Sequence, residues 1–264
     1  MPATEAATGD RTPKATAITY EGKKYQFTWK QMAVFAIAAP IFIVVCYQLL
    51  EYATWIRVIV GDQTISSINF VLAPFLKGNE FSIEYRVDSL PAFTNFPDLY
   101  NQVGFGRIFF APVDDIEIYF NVPGRGQIQF VTFCTGFQAI IIFAAIILFT
   151  PHSAEPAASK GVWKRKIAAL FWSSAIFYVV NIARMWIQLG IYALNSTVQW
   201  DDIHYSISAA SSFIAAIIIL LMHKTLPEFV ISIVWSGIEI KKRFFPNLAY
   251  KSRETSKKMK TPAG

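Results

Sequence analysis

The sequence predicts an all-α polytopic membrane protein with about four transmembrane helices and a small β-rich segment outside the membrane. Apolar residues of the AVILMFWYC set make up 54% of the 264 residues, and only 16% are charged. The mean hydropathy is +0.38. The charges also cluster, which leaves long stretches almost free of them. This composition excludes a soluble globule, a disordered chain and a coiled coil. The net charge of +6 fits a membrane protein whose Lys and Arg residues collect on the cytoplasmic side.

Four stretches have the length and apolarity of a transmembrane helix, which needs about 20 apolar residues. The predicted spans are 31–50, 128–149, 167–194 and 205–222. Two more segments, 54–76 and 229–240, are ambiguous, so the full range is four to six spans. We expect 229–240 to be an amphipathic helix on the membrane surface, because Glu239 interrupts it and three basic residues follow directly.

The distribution of basic residues predicts the orientation. With the N-terminus inside, the inner segments contain 18 of the 24 Lys and Arg residues, the outer ones contain five, and Arg184 lies within the third span. The positive-inside rule then predicts that 1–30 and 223–264 are cytoplasmic and that 51–127 lies outside the cell membrane. The polar ends are predicted to be disordered, over 1–17 and 251–264.

The outer segment 51–127 is predicted to be β-rich. Residues 81–87 alternate strictly between apolar and polar side chains, as a half-buried strand does. Further strands are predicted at 107–111 and 116–122, with proline and glycine between and after them. A catalytic core of three transmembrane helices is predicted to follow over 128–222.

Cys134 is the first candidate functional residue. It lies in the sequence Phe-Cys-Thr-Gly near the outer end of the second span, where Gly136 allows another chain to approach closely. A buried cysteine is often only a small apolar residue, and for Cys46 in the first span we favour that explanation.

Arg184 and His204 are the other two candidates. A guanidinium inside a span costs at least ~2.5 kcal/mol, so it normally faces protein or a wet cavity. Asn181, one turn earlier on the same face, could position Arg184. His204 begins the fourth span just after Asp201 and Asp202, either of which could cap the helix. The simpler alternatives are a snorkelling arginine and a structural histidine at the interface.

The three side chains converge when the spans are arranged antiparallel. Cys134 is near the outer end of the second span, Arg184 lies ten residues before the outer end of the third, and His204 starts the fourth on the outside. This places a nucleophile, an anion-stabilising group and a general acid or base around one outward-facing cavity.

The order of these motifs resembles the exosortase/archaeosortase family of membrane transpeptidases, in particular its archaeal-type members. The resemblance rests on Cys134-Thr135-Gly136, on Asn181-Ile-Ala-Arg184 and on His204, in three consecutive spans, and it covers roughly 113–222. It implies a substrate that is an exported protein with a C-terminal sorting signal, made of a recognition motif, a transmembrane helix and a basic cluster.

The resemblance also implies a mechanism and the role of each residue. The Cys134 thiolate forms a thioester with the substrate, Arg184 lowers the thiol pKa and binds the oxyanion, and His204 protonates the departing amine. An amine-bearing acceptor, expected to be a membrane lipid, then resolves the thioester. Asn181, Gly136 and Asp202 are expected to support the site. No metal, cofactor or nucleic acid is implied.

Two other classes of function remain open on the residues alone. An intramembrane cysteine hydrolase would use the same three side chains with water as the acceptor. A non-catalytic transporter or assembly factor would use Arg184 as a counter-ion and leave Cys134 inert. Transporters usually show repeat symmetry and paired broken helices, and we find neither in the sequence.

Overall fold

The computed structural model describes residues 16–76, 79–110, 112 and 115–244. Its helices are α1 (Trp29–Leu50), α2 (Thr54–Leu76), α3 (Phe96–Phe110), α4 (Phe137–Phe149), α5 (Pro156–Ser159), α6 (Val162–Leu194), α7 (Trp200–Leu221) and α8 (Pro227–Phe244). Its strands are β1 (Ala17–Tyr20), β2 (Lys23–Gln26), β3 (Ser82–Val87), β4 (Ile116–Val122) and β5 (Gly126–Gln129). The disorder predicted for 1–17 and 251–264 lies outside the described residues, except that Ala17 begins β1.

Within the described residues, three helices are long and apolar enough to cross a membrane. They are α1, α6 together with the short α5 before it, and α7 with the turn after it. They correspond to three of the four predicted spans and indicate a multi-pass membrane protein. The 33 residues of α6 extend about 50 Å, well beyond a bilayer core of about 30 Å.

The second predicted span, 128–149, differs from the prediction. Only Phe137–Phe149 is α-helical, and its 13 residues extend about 20 Å, less than a bilayer core. The residues before it form β5 and then a 3-10 turn, Thr132–Thr135. Strand β5 pairs with β4. Its backbone N–H and C=O groups therefore bond to the neighbouring strand and are not available for the hydrogen bonds of a helix. Cys134 is therefore in a turn that precedes α4, which itself packs between α1 and α6.

A three-stranded antiparallel sheet in the order β3-β4-β5 forms the predicted outer segment together with two helices. The strands predicted at 81–87 and 116–122 are confirmed as β3 and β4. Their apolar face is buried against α2, where a Cβ added to Gly61 would lie 3.2 Å from Ile83 Cδ1. Asn69 of α2 also exchanges side-chain hydrogen bonds with the backbone of Phe81. The sheet and α2 therefore form one packed unit.

The strand predicted at 107–111 is wrong. Arg107 to Phe110 belong to α3, and Ala111 lies outside the described residues. Gly104 interrupts this helix with a φ of 75°, and Arg107 then forms an ion pair with Asp115. The segment 51–127 thus contains two helices beside its sheet, which the β-rich prediction omitted, and the sheet continues to Gln129.

The Arg107–Asp115 pair makes the stability of the segment 51–127 pH-dependent. The hydrogen bond from Arg107 lowers the pKa of Asp115 below its ordinary value of 3.8. Stabilisation is therefore complete above about pH 4 and is lost as the pH falls through the folded pKa. We expect Asp115→Asn to lower the free energy of unfolding by about 0.2–1 kcal/mol near neutral pH. The variant should also lose less stability than the wild type on acidification. Thermal unfolding at several pH values checks this, and parallel acid profiles for both proteins would contradict it.

A β-hairpin and α8 form an additional unit at the other end of the bundle. Strands β1 and β2 pair antiparallel, and Tyr25 and Phe27 pack in one apolar cluster with Trp235 of α8. Trp235 Nε1 donates to the Thr16 carbonyl at 2.8 Å. The helix predicted at 229–240 is confirmed as α8, whereas the sequence did not reveal the hairpin.

Helix α6 has a buried stripe in which polar and apolar side chains alternate along its length. Near its start, Lys166 Nζ donates to the carbonyls of Leu148 and Thr150, at 2.7 and 2.9 Å. About two-thirds of the way along lies Asn181, which is 1% exposed. Between these levels Phe177 packs edge-on against Phe143 of α4, with ring centroids 5.6 Å apart. These two rings belong to an apolar layer between α4, α6 and α7.

Candidate active site

Cys134 is held in a turn whose geometry its own neighbours fix. The Cys134 amide donates to the Val131 carbonyl at 2.9 Å. The Thr135 hydroxyl donates to the Thr132 carbonyl at 2.7 Å and accepts from the Phe137 amide at 3.3 Å. Thr135 therefore closes the turn and satisfies one of the free amides at the start of α4. The Cys134 side chain lies beneath the surface and is only 3% exposed.

Gly136 joins this turn to α4 and is required there for two reasons. Its φ is 74°, a left-handed conformation that residues with a Cβ adopt at a cost. A Cβ built on it would lie 2.7 Å from Asn181 Cγ and 2.9 Å from Asn181 Oδ1. The glycine thus lets α6 approach the turn, as the sequence predicted for Gly136.

Asn181 and Arg184 both hold the backbone of Cys134. Asn181 Nδ2 donates to the Cys134 carbonyl at 3.0 Å, and Arg184 Nη2 donates to the same oxygen at 3.2 Å. Two donors can satisfy both lone pairs of a buried carbonyl, and a hydrogen bond to a charged group contributes about 1.5–3 kcal/mol. The structure therefore brings together four of the predicted residues: Cys134, Gly136, Asn181 and Arg184.

Opposing effects act on the pKa of the Cys134 thiol. Burial raises the pKa of the Cys134 thiol, while the turn backbone and the Arg184 guanidinium act to lower it, and burial is the stronger effect. The start of α4 three residues later also favours a thiolate. Arg184 thus acts in the direction that we expected but does not by itself ionise the thiol. A base has to remove the proton before sulfur can attack.

His204 is the fifth residue of α7, and its backbone is joined to α6 by Gln188, a residue that the sequence analysis did not identify. Gln188 is fully buried. Its Nε2 donates to the His204 carbonyl at 3.2 Å and to Ser208 Oγ at 3.4 Å. Gln188 follows Asn181 by two helical turns on the same face, and that spacing is the signal that could have revealed it.

The predicted role of Asp202 is not supported by its position. Helix α7 begins after Gln199, with no side-chain cap, so the capping by Asp201 or Asp202 that we expected is wrong. Asp202 is exposed. The His204 imidazole instead lies beside the Trp200 ring, with centroids 5.4 Å apart.

The sheet and α2 are tied to α6 and to the loop that follows it. Arg125, in the turn between β4 and β5, donates to the Val198 carbonyl at 2.6 Å and covers the Tyr192 ring at 4.3 Å. Trp186 Nε1 of α6 donates to Ser67 Oγ of α2 at 2.8 Å. Between α2 and α6 lies an open, mostly apolar groove of about 620 Å³, lined by Phe70, Tyr178, Val179, Ile182, Ala183 and Trp186 among others.

The part of the chain that the structure describes contains no cluster of three His, Cys, Asp or Glu side chains that could hold a metal ion. Comparison of the chain with models of known protein families, with functionally described proteins and with solved structures gives no match. A functional interpretation therefore depends on the residues and geometry of the site itself.

Proposed function

We propose that this protein is a membrane-embedded cysteine transpeptidase of the exosortase/archaeosortase type. It would cleave the C-terminal sorting signal of exported proteins and transfer them to an amine acceptor in the cell membrane. One observation carries the proposal: Asn181 and Arg184, from one face of α6, both bind the backbone of Cys134. A cysteine that served only as packing would not need a half-buried guanidinium bonded to its backbone, since a guanidinium is costly within a membrane.

The first chemical step is acylation of Cys134. His204 takes the thiol proton, and sulfur attacks the scissile carbonyl to give a tetrahedral oxyanion that Arg184 stabilises. The carbon–nitrogen bond then breaks, and His204 returns the proton to the leaving amine. The products of this step are a thioester on Cys134 and the released signal helix. The apolar groove between α2 and α6 offers that helix a place next to the site.

The second step is transfer to the acceptor. The amine of a lipid headgroup attacks the thioester carbonyl, an amide forms, and the thiol of Cys134 is regenerated with a proton from the amine. Because thioesters react intrinsically faster with amines than with water, a partly dry site favours transfer over hydrolysis. The 3% exposure of Cys134 supports this condition.

The product mass tests the proposal. Purified enzyme and a substrate peptide are expected to accumulate an adduct on Cys134 when no acceptor is present. Hydroxylamine or an aminolipid should discharge it and give a product heavier than the cleavage fragment, by mass spectrometry. Release of free carboxylate alone, at a rate indifferent to amine concentration, would instead identify an intramembrane hydrolase.

The function requires that the site faces outward. We propose that α1, α4, α6 and α7 all cross the bilayer, with both ends of the chain in the cytoplasm. A cysteine placed at Asn79 or Gln199 is then expected to react with a membrane-impermeant thiol reagent on intact cells, whereas one at Ser159 stays unlabelled. All three lines carry Cys46→Ala to lower the background. Labelling at Ser159 with protection at Asn79 would place the site in the cytoplasm and contradict an export-linked function.

The same burial also favours a second candidate, a non-catalytic transporter or assembly factor. A thiol that is 3% exposed and whose pKa burial raises is the usual state of an inert structural cysteine. In that case Cys134→Ala would be tolerated, which is the opposite of the result expected for the transpeptidase.

A further inference from the structure

Four buried polar atoms around the candidate site have no hydrogen-bond partner among the described residues. They are Asn181 Oδ1, Arg184 Nε, Gln188 Oε1 and His204 Nδ1. An unsatisfied buried polar group costs about 1–3 kcal/mol, so a concentration of four in one site calls for an explanation.

Two of these atoms belong to residues that are already joined. Gln188 donates to the backbone carbonyl of His204, which keeps its amide next to that residue. The unused atoms are the amide oxygen of Gln188 and the Nδ1 of His204. Because Gln188 lies against the backbone of His204, each of these two atoms is a candidate partner for the other, directly or through one bridging water.

The chemistry of the two groups determines which proton is shared. An amide oxygen can only accept a hydrogen bond, and a neutral imidazole carries one proton, on either Nδ1 or Nε2. Pairing with Gln188 Oε1 therefore requires the proton on Nδ1. This leaves Nε2 of His204 unprotonated and able to accept the proton of the thiol.

We propose that Gln188 is the positioning residue of His204, and that its amide oxygen holds the imidazole in the Nδ1–H tautomer. With Cys134 as the proposed nucleophile and His204 as the proposed base, Gln188 would be the third group in the general rule that a nucleophile is activated by a base which another residue orients. The catalytic consequence depends on the proposed function, whereas the tautomer itself does not.

The tautomer can be measured directly by ¹⁵N NMR, because the chain contains only three histidines. Full-length protein is labelled with ¹⁵N-histidine, and a His204→Gln variant assigns the signal. We expect the wild type to show the Nδ1–H form at His204, and Gln188→Leu to shift it toward the Nε2–H form. Gln188→Glu keeps an acceptor oxygen and should retain the Nδ1–H form.

A matched control makes the same change at an exposed glutamine. Gln199, at the start of α7, makes no side-chain capping bond, so Gln199→Leu should leave the His204 signals unchanged. Gln188→Glu also covers the case in which the leucine variant fails to fold. An Nε2–H form in the wild type, or an unaltered His204 signal in folded Gln188→Leu, would overturn the proposal.

Acylation kinetics in the same variants separate this inference from the proposed function. Gln188→Leu is expected to lower the rate constant of adduct formation roughly 10- to 100-fold with little change in KM. If the wild type forms no adduct, the proposed function fails while the tautomer result still stands. If the wild type and Gln188→Leu acylate equally fast, the positioning role fails and the transpeptidase proposal is unaffected.

Discussion

Replacing Cys134 by alanine or serine is expected to abolish processing of an exported substrate, with the rate falling at least about 10³-fold. Alanine removes the nucleophile. Serine keeps a hydroxyl of similar size, but an alcohol is far less acidic than a thiol, so His204 cannot generate the anion as readily and the neutral oxygen is a much weaker nucleophile than a thiolate. The measurement is the ratio of processed to full-length substrate in cells that express each variant at equal level.

Cys46→Ala is the matched control for this experiment. The chain has two cysteines, and Cys46 lies in α1 in a partly buried position. Its replacement should leave processing near the wild-type level. Equal tolerance of the changes at Cys46 and Cys134 would contradict the enzyme hypothesis altogether.

The second large effect is expected for Gly136→Ala. The added methyl group would lie 2.7 Å from Asn181 Cγ, and the residue has to keep a φ of 74°. The backbone strain costs about 1–2 kcal/mol and the overlap about 1–3 kcal/mol more. Because the overlap pushes Asn181 away from the Cys134 carbonyl, both the melting temperature and the processing rate should fall.

Gly124→Ala separates these two costs. Gly124, in the turn between β4 and β5, has a φ of 70°, yet nothing lies within 4 Å of a Cβ added there. This variant should show only the backbone cost and near-normal processing. Equal losses of stability in the two alanine variants would mean that the approach of Asn181 to Gly136 contributes nothing.

Local sequence patterns predicted those parts of the fold in which local preference and final packing agree. The apolar runs gave α1, α6 and α7, because burial in lipid depends mainly on composition and length. The alternation in β3 and β4 predicted strands, since one face of each is packed against α2. These elements need little knowledge of distant partners.

The errors occur where contacts outside the run of similar residues decide the structure. The aromatic and β-branched run around Arg107 has strand preference, yet it is helical, with Ile108 fully buried and Arg107 paired to Asp115. Apolar residues after Gly126 continued the hydropathy of the next helix, but pairing with β4 takes them into the sheet. In both cases the contacts made with a neighbouring segment, Asp115 or strand β4, override the preference of the run itself.

The candidate site was predictable in its members more than in its geometry. Antiparallel spans were enough to bring Cys134, Arg184 and Asn181 together. The rotation of α6 relative to α7 could not be predicted in this way. From the sequence alone, Gln188 therefore looks like an ordinary polar residue in an apolar helix. The sequence predicts Cys134 within a continuous helix, whereas a strand and a 3-10 turn lead to it.

The apolar layer formed by Phe143 and Phe177 separates two levels of buried polar groups along α6. Helix α6 carries buried polar side chains both near its start, at Lys166, and near the candidate site, at Asn181. Without an interruption, such a stripe could conduct protons from one face of the bilayer to the other. The two packed rings interrupt it with side chains that neither donate nor accept a proton. In a helix that crosses a bilayer, this layer is therefore expected to block the passage of protons between the level of Lys166 and the level of Asn181.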